Sequence, residues 1–169
     1  MSSLSSRSQF ALAAAATTRA SQKDILLWML MSAALLVRSV VTVTTSSRPV
    51  FEGKLLKEGT HINAIGAYRP DMQEVDEEAL RRSRIFVDSL EACLEEAGDL
   101  VIPLKTGRLQ KTDILAELGE VFAGKKPGRG SAREITYFKS VGNAVQDVSV
   151  GQAILHRARE KNLGQEVEL

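Results

Sequence analysis

The chain has 169 residues, with 22 basic and 21 acidic side chains and a net charge of +1 at pH 7. This balance gives no indication of a nucleic-acid partner, and aromatic residues, at 5%, are sparse for a base-stacking surface. Hydrophobic residues make up 44%, which predicts a globular core. The single cysteine, Cys93, excludes an internal disulfide and suits a reducing compartment, so we expect a cytoplasmic protein.

The N-terminal part differs in composition from the rest of the chain. Residues 1–23 contain no Asp or Glu and are rich in Ser, Ala and Thr. This composition favours a disordered end, with a mitochondrial transit peptide as the alternative. An apolar run of 13 residues follows at 25–37. Because a membrane-spanning helix needs roughly 20 residues, we expect a short buried helix or a signal segment here rather than a membrane span.

From residue 39 onwards, short apolar runs, the first of them rich in β-branched residues, alternate with segments of helical spacing. Strands are predicted at 40–45, 61–66, 84–88 and 135–138. Helices are predicted at 77–82, capped by Asp76, at 89–97, at 114–122, capped by Asp113, and at 143–161. The run 100–104 contains Pro103 and is predicted to be an edge strand or a loop. Glycine-dense residues 124–130 predict a surface loop.

Three further features bear on the fold. Strands that alternate with helices predict an α/β fold, with a parallel sheet, right-handed crossovers and helices on both faces. Gly66 closes the second predicted strand, where it allows a close backbone approach or a positive φ. Cys93 lies on the apolar face of a predicted helix and is expected to be an inert core thiol.

Five segments together resemble the ornithine cyclodeaminase/mu-crystallin family of NAD(P)-binding proteins. They are VVTVTTSSRPVF (40–51), GTHINAIGAYRPDMQEVD (59–76), VDSLEACLEEAGDLVIPL (87–104), AELGEVFAGKKPGR (116–129) and ITYFKSVGNAVQD (135–147). The resemblance implies a partial Rossmann domain over 39–141 that lacks the first βαβ unit, with its Gly-rich pyrophosphate turn. Residues 142–169 would then be the C-terminal helix and tail, belonging to the dimerisation domain. Residues 1–38 show no resemblance, so a truncated member is expected.

The same resemblance implies which residues contact ligands. Residues matching the family's cofactor-contacting positions are Thr44, Thr45, Ile65, Lys139, Ser140 and Val141. Those matching substrate or ligand positions are Tyr68 and Glu96. The alternatives are ordinary structural roles: strand formation for the threonines, core packing for Ile65 and a solvated helix face for Glu96. For Lys139, Ser140 and Val141 the functional interpretation is favoured, and an ammonium group such as that of Lys139 suits a cofactor phosphate or a substrate carboxylate.

The activity implied by the resemblance is reduction of cyclic imines or ketimines with NADPH or NADH. Ornithine cyclodeaminases carry an aspartate where this chain has Tyr68, and a neutral phenol cannot replace a carboxylate base. Conversion of ornithine to proline and ammonia is therefore the weaker alternative. A non-catalytic cofactor- or thyroid-hormone-binding protein resembling mu-crystallin, or an inactive fragment, is another. No residue is assigned as catalytic.

The resemblance and the residues themselves also indicate which partners and cofactors to expect. Without the Gly-rich turn, weak binding of NADP or NAD is expected, and with it weak or absent activity. An unpaired strand edge in half a Rossmann sheet predicts a homodimer or pairing with a full-length paralogue. The substrate would be a small cyclic imino or amino acid. Neither His61 nor His156 has a second ligand at metal-binding spacing, so no metal is expected.

Overall fold

A computed structural model describes residues 38–165 and 167. Within them the chain forms one parallel five-stranded sheet in the order β1-β2-β5-β3-β4. The strands are β1 (Ser39–Thr42), β2 (His61–Ala64), β3 (Ser83–Val87), β4 (Ile114–Glu117) and β5 (Ile135–Lys139). The predicted parallel α/β fold is therefore confirmed, and the last strand enters the sheet between the second and the third.

Five helices accompany the sheet in the described part of the chain. They are α1 (Glu77–Arg81), α2 (Leu90–Glu96), α3 (Gly98–Lys105), α4 (Leu118–Phe122) and α5 (Ala144–Glu160). Short 3-10 turns cover Gly53–Leu55 and Lys111–Asp113. None of these helices is long and apolar enough to cross a membrane. The apolar run 25–37 lies outside the described residues.

Local sequence signals explain where α1 and α2 begin. The Asp76 side chain accepts a hydrogen bond from the Ala79 N–H, as predicted, and Ser89 accepts one from the Ala92 N–H in the same way. Each cap satisfies one N–H of the first turn that has no partner within its helix. Both helices place apolar residues in the shared core, where Cys93 is fully buried. The predicted core position of Cys93 is therefore confirmed, and burial raises the pKa of its thiol to about 12, which disfavours the reactive thiolate.

The segment 98–105 is a helix, and the prediction of an edge strand or loop was wrong. Pro103 lies inside α3, where a proline removes one helical hydrogen bond at a cost of about 3 kcal/mol. Burial of Leu100 and Val101 on the core, together with the buried carboxyl of Asp99, offsets that cost. The tertiary contacts of this segment outweigh its local preference.

The segment 114–122 was predicted to be one helix, and this was also wrong. Residues Ile114–Glu117 form β4, paired with β3, and only Leu118–Phe122 is helical. The apolar spacing suits both structures, but Ile114 and Ala116 are buried on the sheet while Leu115 between them is exposed. Asp113 acts as a cap of the preceding 3-10 turn, since its side chain accepts from the Gln110 N–H at 2.7 Å.

A polar cluster ties β2 to β5 near their amino ends. His61 Nδ1 lies 2.7 Å from Thr136 Oγ1 and its Nε2 lies 3.2 Å from Asn63 Oδ1. Arg129, from the predicted loop 124–130, donates to the same Thr136 hydroxyl at 2.7 Å. Burial lowers the pKa of His61; the bond to Asn63 opposes this shift, and the charge of Arg129 adds to it.

The pKa of His61 predicts an acid-sensitive fold. Because its folded pKa lies below the unfolded value of 6.5, the unfolded chain takes up a proton first as the pH falls. The stability contributed by neutral His61 is thus complete above about pH 6.5 and is lost as the pH falls through the folded pKa. Thermal unfolding of the His61→Gln variant should show a smaller loss of stability on acidification than the unmodified chain. His156→Gln, on the exposed α5, is the control; equal pH dependence of all three proteins would contradict this assignment.

Candidate functional site

The register of the sheet brings the carboxyl ends of its strands into one row. Thr42 pairs with Ala64, Ala64 with Lys139, and Lys139 with Val87. The pairing continues one residue further, because the Ile65 N–H donates to Thr42, the Ser140 N–H to Ala64, and the Asp88 N–H to Lys139. The residues that follow the strands therefore stand side by side. We call residues 43–45, 65–68, 88 and 140–141 the carboxyl edge.

Apolar side chains and hydroxyl groups share this edge. Val43 and Ile65, which follow the paired residues Thr42 and Ala64, are 54% and 37% exposed. Thr45 is exposed and Thr44 is half-buried. In open parallel sheets, ligands bind beyond the carboxyl ends of the strands. An apolar surface flanked by hydroxyls suits a planar, partly polar ligand.

Asp88 holds the two central loops of the carboxyl edge together. Its carboxylate accepts from the Ser140 hydroxyl at 2.6 Å and from the Val141 N–H at 3.2 Å. Burial raises the pKa of this carboxyl, but the hydrogen bonds from Ser140, Ser89, Cys93 and Val141 together bring it below its usual value. The sequence indicated only a cap or turn for Asp88. The sequence feature that could have identified Asp88 as a site residue is its position directly after a buried strand.

The side chain of Lys139 is directed into the interior of the fold. Its side chain is fully buried, with Nζ 3.2 Å from the Ala64 carbonyl and 3.7 Å from Asp99 Oδ2. Burial lowers the pKa of this ammonium, while the neighbouring carboxylates, Asp99 first, oppose the shift. In this structure the ammonium is directed into the interior. The contact with a cofactor phosphate or substrate carboxylate expected for Lys139 stays a prediction.

Tyr68 and Glu96 are placed differently from each other. Tyr68 belongs to the carboxyl edge, is 47% exposed, and its N–H donates to the Gly66 carbonyl. Glu96 is the last residue of α2, about 9 Å along the helix axis from its first residue. No hydrogen bond or ion pair joins Glu96 to the described residues of the carboxyl edge. The structure brings Tyr68 to the candidate site and leaves Glu96 apart from it.

A second layer of buried polar groups lies beneath the carboxyl edge and was missed in the sequence. Glu74 accepts from the N–H groups of Thr44, Gly66 and Ala67. Asp99 accepts from the N–H groups of Glu74 and Val75. The sequence indicated only a polar loop around Glu74 and a turn at Asp99, because their partners lie far away along the chain. Among residues 38–165 and 167, no three His, Cys, Asp or Glu side chains are grouped closely enough to hold a metal ion.

The parallel sheet and its carboxyl edge define an α/β domain of the dinucleotide-binding type. Comparison with known families agrees, since the model of the ornithine cyclodeaminase/mu-crystallin family matches residues 14–162. This chain belongs to that family. The match begins at residue 14, although no resemblance was expected for residues 1–38. It therefore starts well before residue 40, where the first of the five segments begins.

Individual relatives support the same assignment. The chain is 47% identical over 130 residues to a Delta(1)-pyrroline-2-carboxylate reductase of Bacillus cereus, covering 76% of this chain and 40% of that protein. It is 43% identical over 115 residues to the ketimine reductase mu-crystallin of Mus musculus, covering 68% of this chain and 34% of that protein. The chain thus spans well under half the length of these relatives.

Solved structures share the fold. A Thermococcus litoralis Delta(1)-pyrroline-2-carboxylate reductase in complex with NADH and L-proline superimposes with a TM-score of 0.73 at 41% identity, over 81% of this chain and 42% of that one. An archaeal alanine dehydrogenase dimer with bound NAD gives a TM-score of 0.68 at 41% identity, over 79% and 41% of the two chains.

Proposed function

We propose that this chain takes part in NAD(P)H-dependent reduction of a small cyclic imino acid, and that its carboxyl edge receives the nicotinamide portion of the cofactor. The observation that carries the proposal is the row formed by Thr42, Ala64, Lys139 and Val87, which sets the following residues side by side at one edge. The relatives with the same fold include a reductase solved with NADH and L-proline.

The residues at the edge fit a nicotinamide dinucleotide. Exposed Val43 and Ile65 offer an apolar surface for a planar ring. Thr44 and Thr45 supply hydroxyl groups for the carboxamide and ribose. The hydroxyl of Ser140 donates to Asp88, so Ser140 contributes by holding the loop after β5 in place. When bound, the reduced nicotinamide supplies a hydride to the imine carbon, and a proton is added to the nitrogen. This chain's residues bind and orient the reactants, and Val141 completes the edge between β5 and α5.

Tyr68 supports reduction over cyclodeamination. Its phenol is exposed at the carboxyl edge, where it can contact a substrate, but it is not a carboxylate that could act as a base on an amine. We place Tyr68 against the imino acid. Release of ammonia from ornithine by the purified chain would contradict this choice.

Pairing with a second copy of the chain or with a longer paralogue stays a prediction. The 17-residue helix α5 has no buried residue, and it exposes the apolar side chains Val145, Val148, Ile154 and Leu155. A surface of this kind is typical of a helix that packs against another element.

The reaction itself can be tested on the purified chain. Delta(1)-pyrroline-2-carboxylate would be supplied with NADPH or NADH, and oxidation of the cofactor followed by its absorbance. The proposal expects turnover that saturates with both reactants, at a rate lowered by Tyr68→Phe if the phenol contacts the substrate. Cofactor binding without turnover would favour a non-catalytic binding protein. Absence of both at millimolar cofactor would overturn the proposal for this chain.

A further inference from the structure

The carboxylate of Glu74 spans two loops of the carboxyl edge. One oxygen, Oε1, accepts from the Thr44 N–H after β1. The other, Oε2, accepts from Gly66 N–H at 2.8 Å and from Ala67 N–H at 3.2 Å, both after β2. Glu74 is fully buried, so these bonds are shielded from competing water. Strand pairing between β1 and β2 ends at Thr42 and Ala64. Beyond these residues, the Glu74 side chain fixes the distance between the two loops that follow.

The backbone of Glu74 is itself anchored from two sides. Its N–H donates to Asp99 Oδ1 at 2.7 Å, and its carbonyl accepts from the Val50 N–H at 2.9 Å. Asp99 in turn lies 3.7 Å from Lys139 Nζ and 3.3 Å from the Tyr137 hydroxyl, under the end of β5. These hydrogen bonds hold the backbone of Glu74 in place, so its carboxylate has a fixed position relative to the two loops.

The direct partners of the Glu74 carboxylate are backbone N–H groups. Among the described residues the Lys139 ammonium pairs at 3.7 Å with Asp99, and the charge of Glu74 acts on it only from beyond salt-bridge distance. Gly66 makes the arrangement feasible, because a Cβ on this residue would lie 2.4 Å from Glu74 Oε1 and 2.3 Å from the Thr44 nitrogen. A carboxylate that accepts at both oxygens is required here, since an amide presents N–H groups at one end.

We infer that Glu74 is a positioning residue for cofactor binding, which holds the Thr44–Thr45 loop at a fixed distance from the Ile65–Tyr68 loop. This inference rests on the proposed function. Glu74 does not touch the cofactor, and it acts through the backbone of the residues that do. Displacement of a binding loop by about 1 Å is enough to weaken a positioned interaction by tenfold or more.

The test compares Glu74→Gln with Glu78→Gln, the same change on the exposed surface of α1. Titration with NADPH, followed by cofactor fluorescence below the unfolding temperature, should give a Kd raised about tenfold or more in Glu74→Gln and unchanged in Glu78→Gln. Amide hydrogen exchange supplies a readout without cofactor. Exchange should rise at Thr44, Gly66 and Ala67, while the core amide of Ile62 stays protected.

The outcomes separate this inference from the proposed function. If the unmodified chain binds no NADPH, the proposed function fails, and the exchange data still test Glu74. If Glu74→Gln keeps both the Kd and the exchange pattern of the unmodified chain, the inference is overturned. If Glu74→Gln does not fold, Glu74→Asp replaces it, because the shorter carboxylate keeps the charge but cannot reach both loops. Unchanged Kd and exchange in Glu74→Asp would equally overturn the inference.

Discussion

Replacing Asp99 with alanine should lower the free energy of unfolding by about 3–5 kcal/mol, the range expected when one member of a buried ion pair is removed. Asp99 and Lys139 are both fully buried, with 3.7 Å between Asp99 Oδ2 and Lys139 Nζ. Burial raises the pKa of Asp99 and lowers that of Lys139, so each charge depends on the other. Alanine would also leave the N–H groups of Glu74 and Val75 without their acceptor.

Urea unfolding followed by circular dichroism measures this loss. Asp71→Ala is the control, since it removes a carboxylate whose ion pair with Arg69 is exposed and should leave the unfolding midpoint nearly unchanged. Adding Lys139→Met to Asp99→Ala should recover part of the stability, because the unpaired ammonium is removed. Equal midpoints for Asp99→Ala and Asp71→Ala would show that the buried pair does not support the fold.

Gly66→Ala should be nearly as damaging, with a loss of about 3 kcal/mol, at the upper end of the range for overpacked positions. An added Cβ would lie 2.3 Å from both the nitrogen and the oxygen of Thr44 and 2.4 Å from Glu74 Oε1. Two of these atoms belong to the backbone and cannot rotate away. The change must therefore push β1 and β2 apart where they enter the carboxyl edge, which would weaken cofactor binding along with stability.

Gly119→Ala provides the matched control for this substitution. Gly119 lies in α4, and an added Cβ would meet nothing within 4 Å. Alanine there should leave the unfolding midpoint unchanged or raise it slightly, since alanine favours a helix over glycine by up to about 1 kcal/mol. Similar midpoints for the two variants would contradict the close approach of Gly66 to Thr44.

The elements that the sequence predicted well depend on local signals. Short apolar runs indicated β1, β2, β3 and β5, and the predicted cap Asp76 lies at the start of α1. Where the sequence misled, a distant contact decided the structure. Ile114–Glu117 became a strand because it pairs with β3, and Pro103 is tolerated in α3 because its neighbours are buried. The position of β5 between β2 and β3 has no local signal at all.

The residues of the candidate site likewise fall into those that local sequence predicted and those that distant contacts determine. Thr44 and Ile65 lie near the ends of predicted strands, Ser140 follows another, and the structure brings them to one edge. Lys139 belongs to the same stretch, yet its ammonium faces the interior because Asp99 lies beneath it. Glu74 meets Thr44 across 30 residues of sequence. In the sequence, an acidic residue of this kind cannot be distinguished from any other acidic loop residue. Only the fold shows which distant N–H groups its carboxylate accepts from.

The most direct test of the central claim is a fluorescence titration of the purified chain with NADPH, repeated with NADH. Ile65→Glu places a carboxylate on the carboxyl edge, and Leu115→Glu is its matched control, since Leu115 is 38% exposed on β4 against 37% for Ile65. We expect saturable binding to the unmodified chain, loss of about tenfold or more in affinity for Ile65→Glu, and no change for Leu115→Glu. Equal affinities for the two variants, or no binding at millimolar cofactor, would contradict a cofactor site at the carboxyl edge.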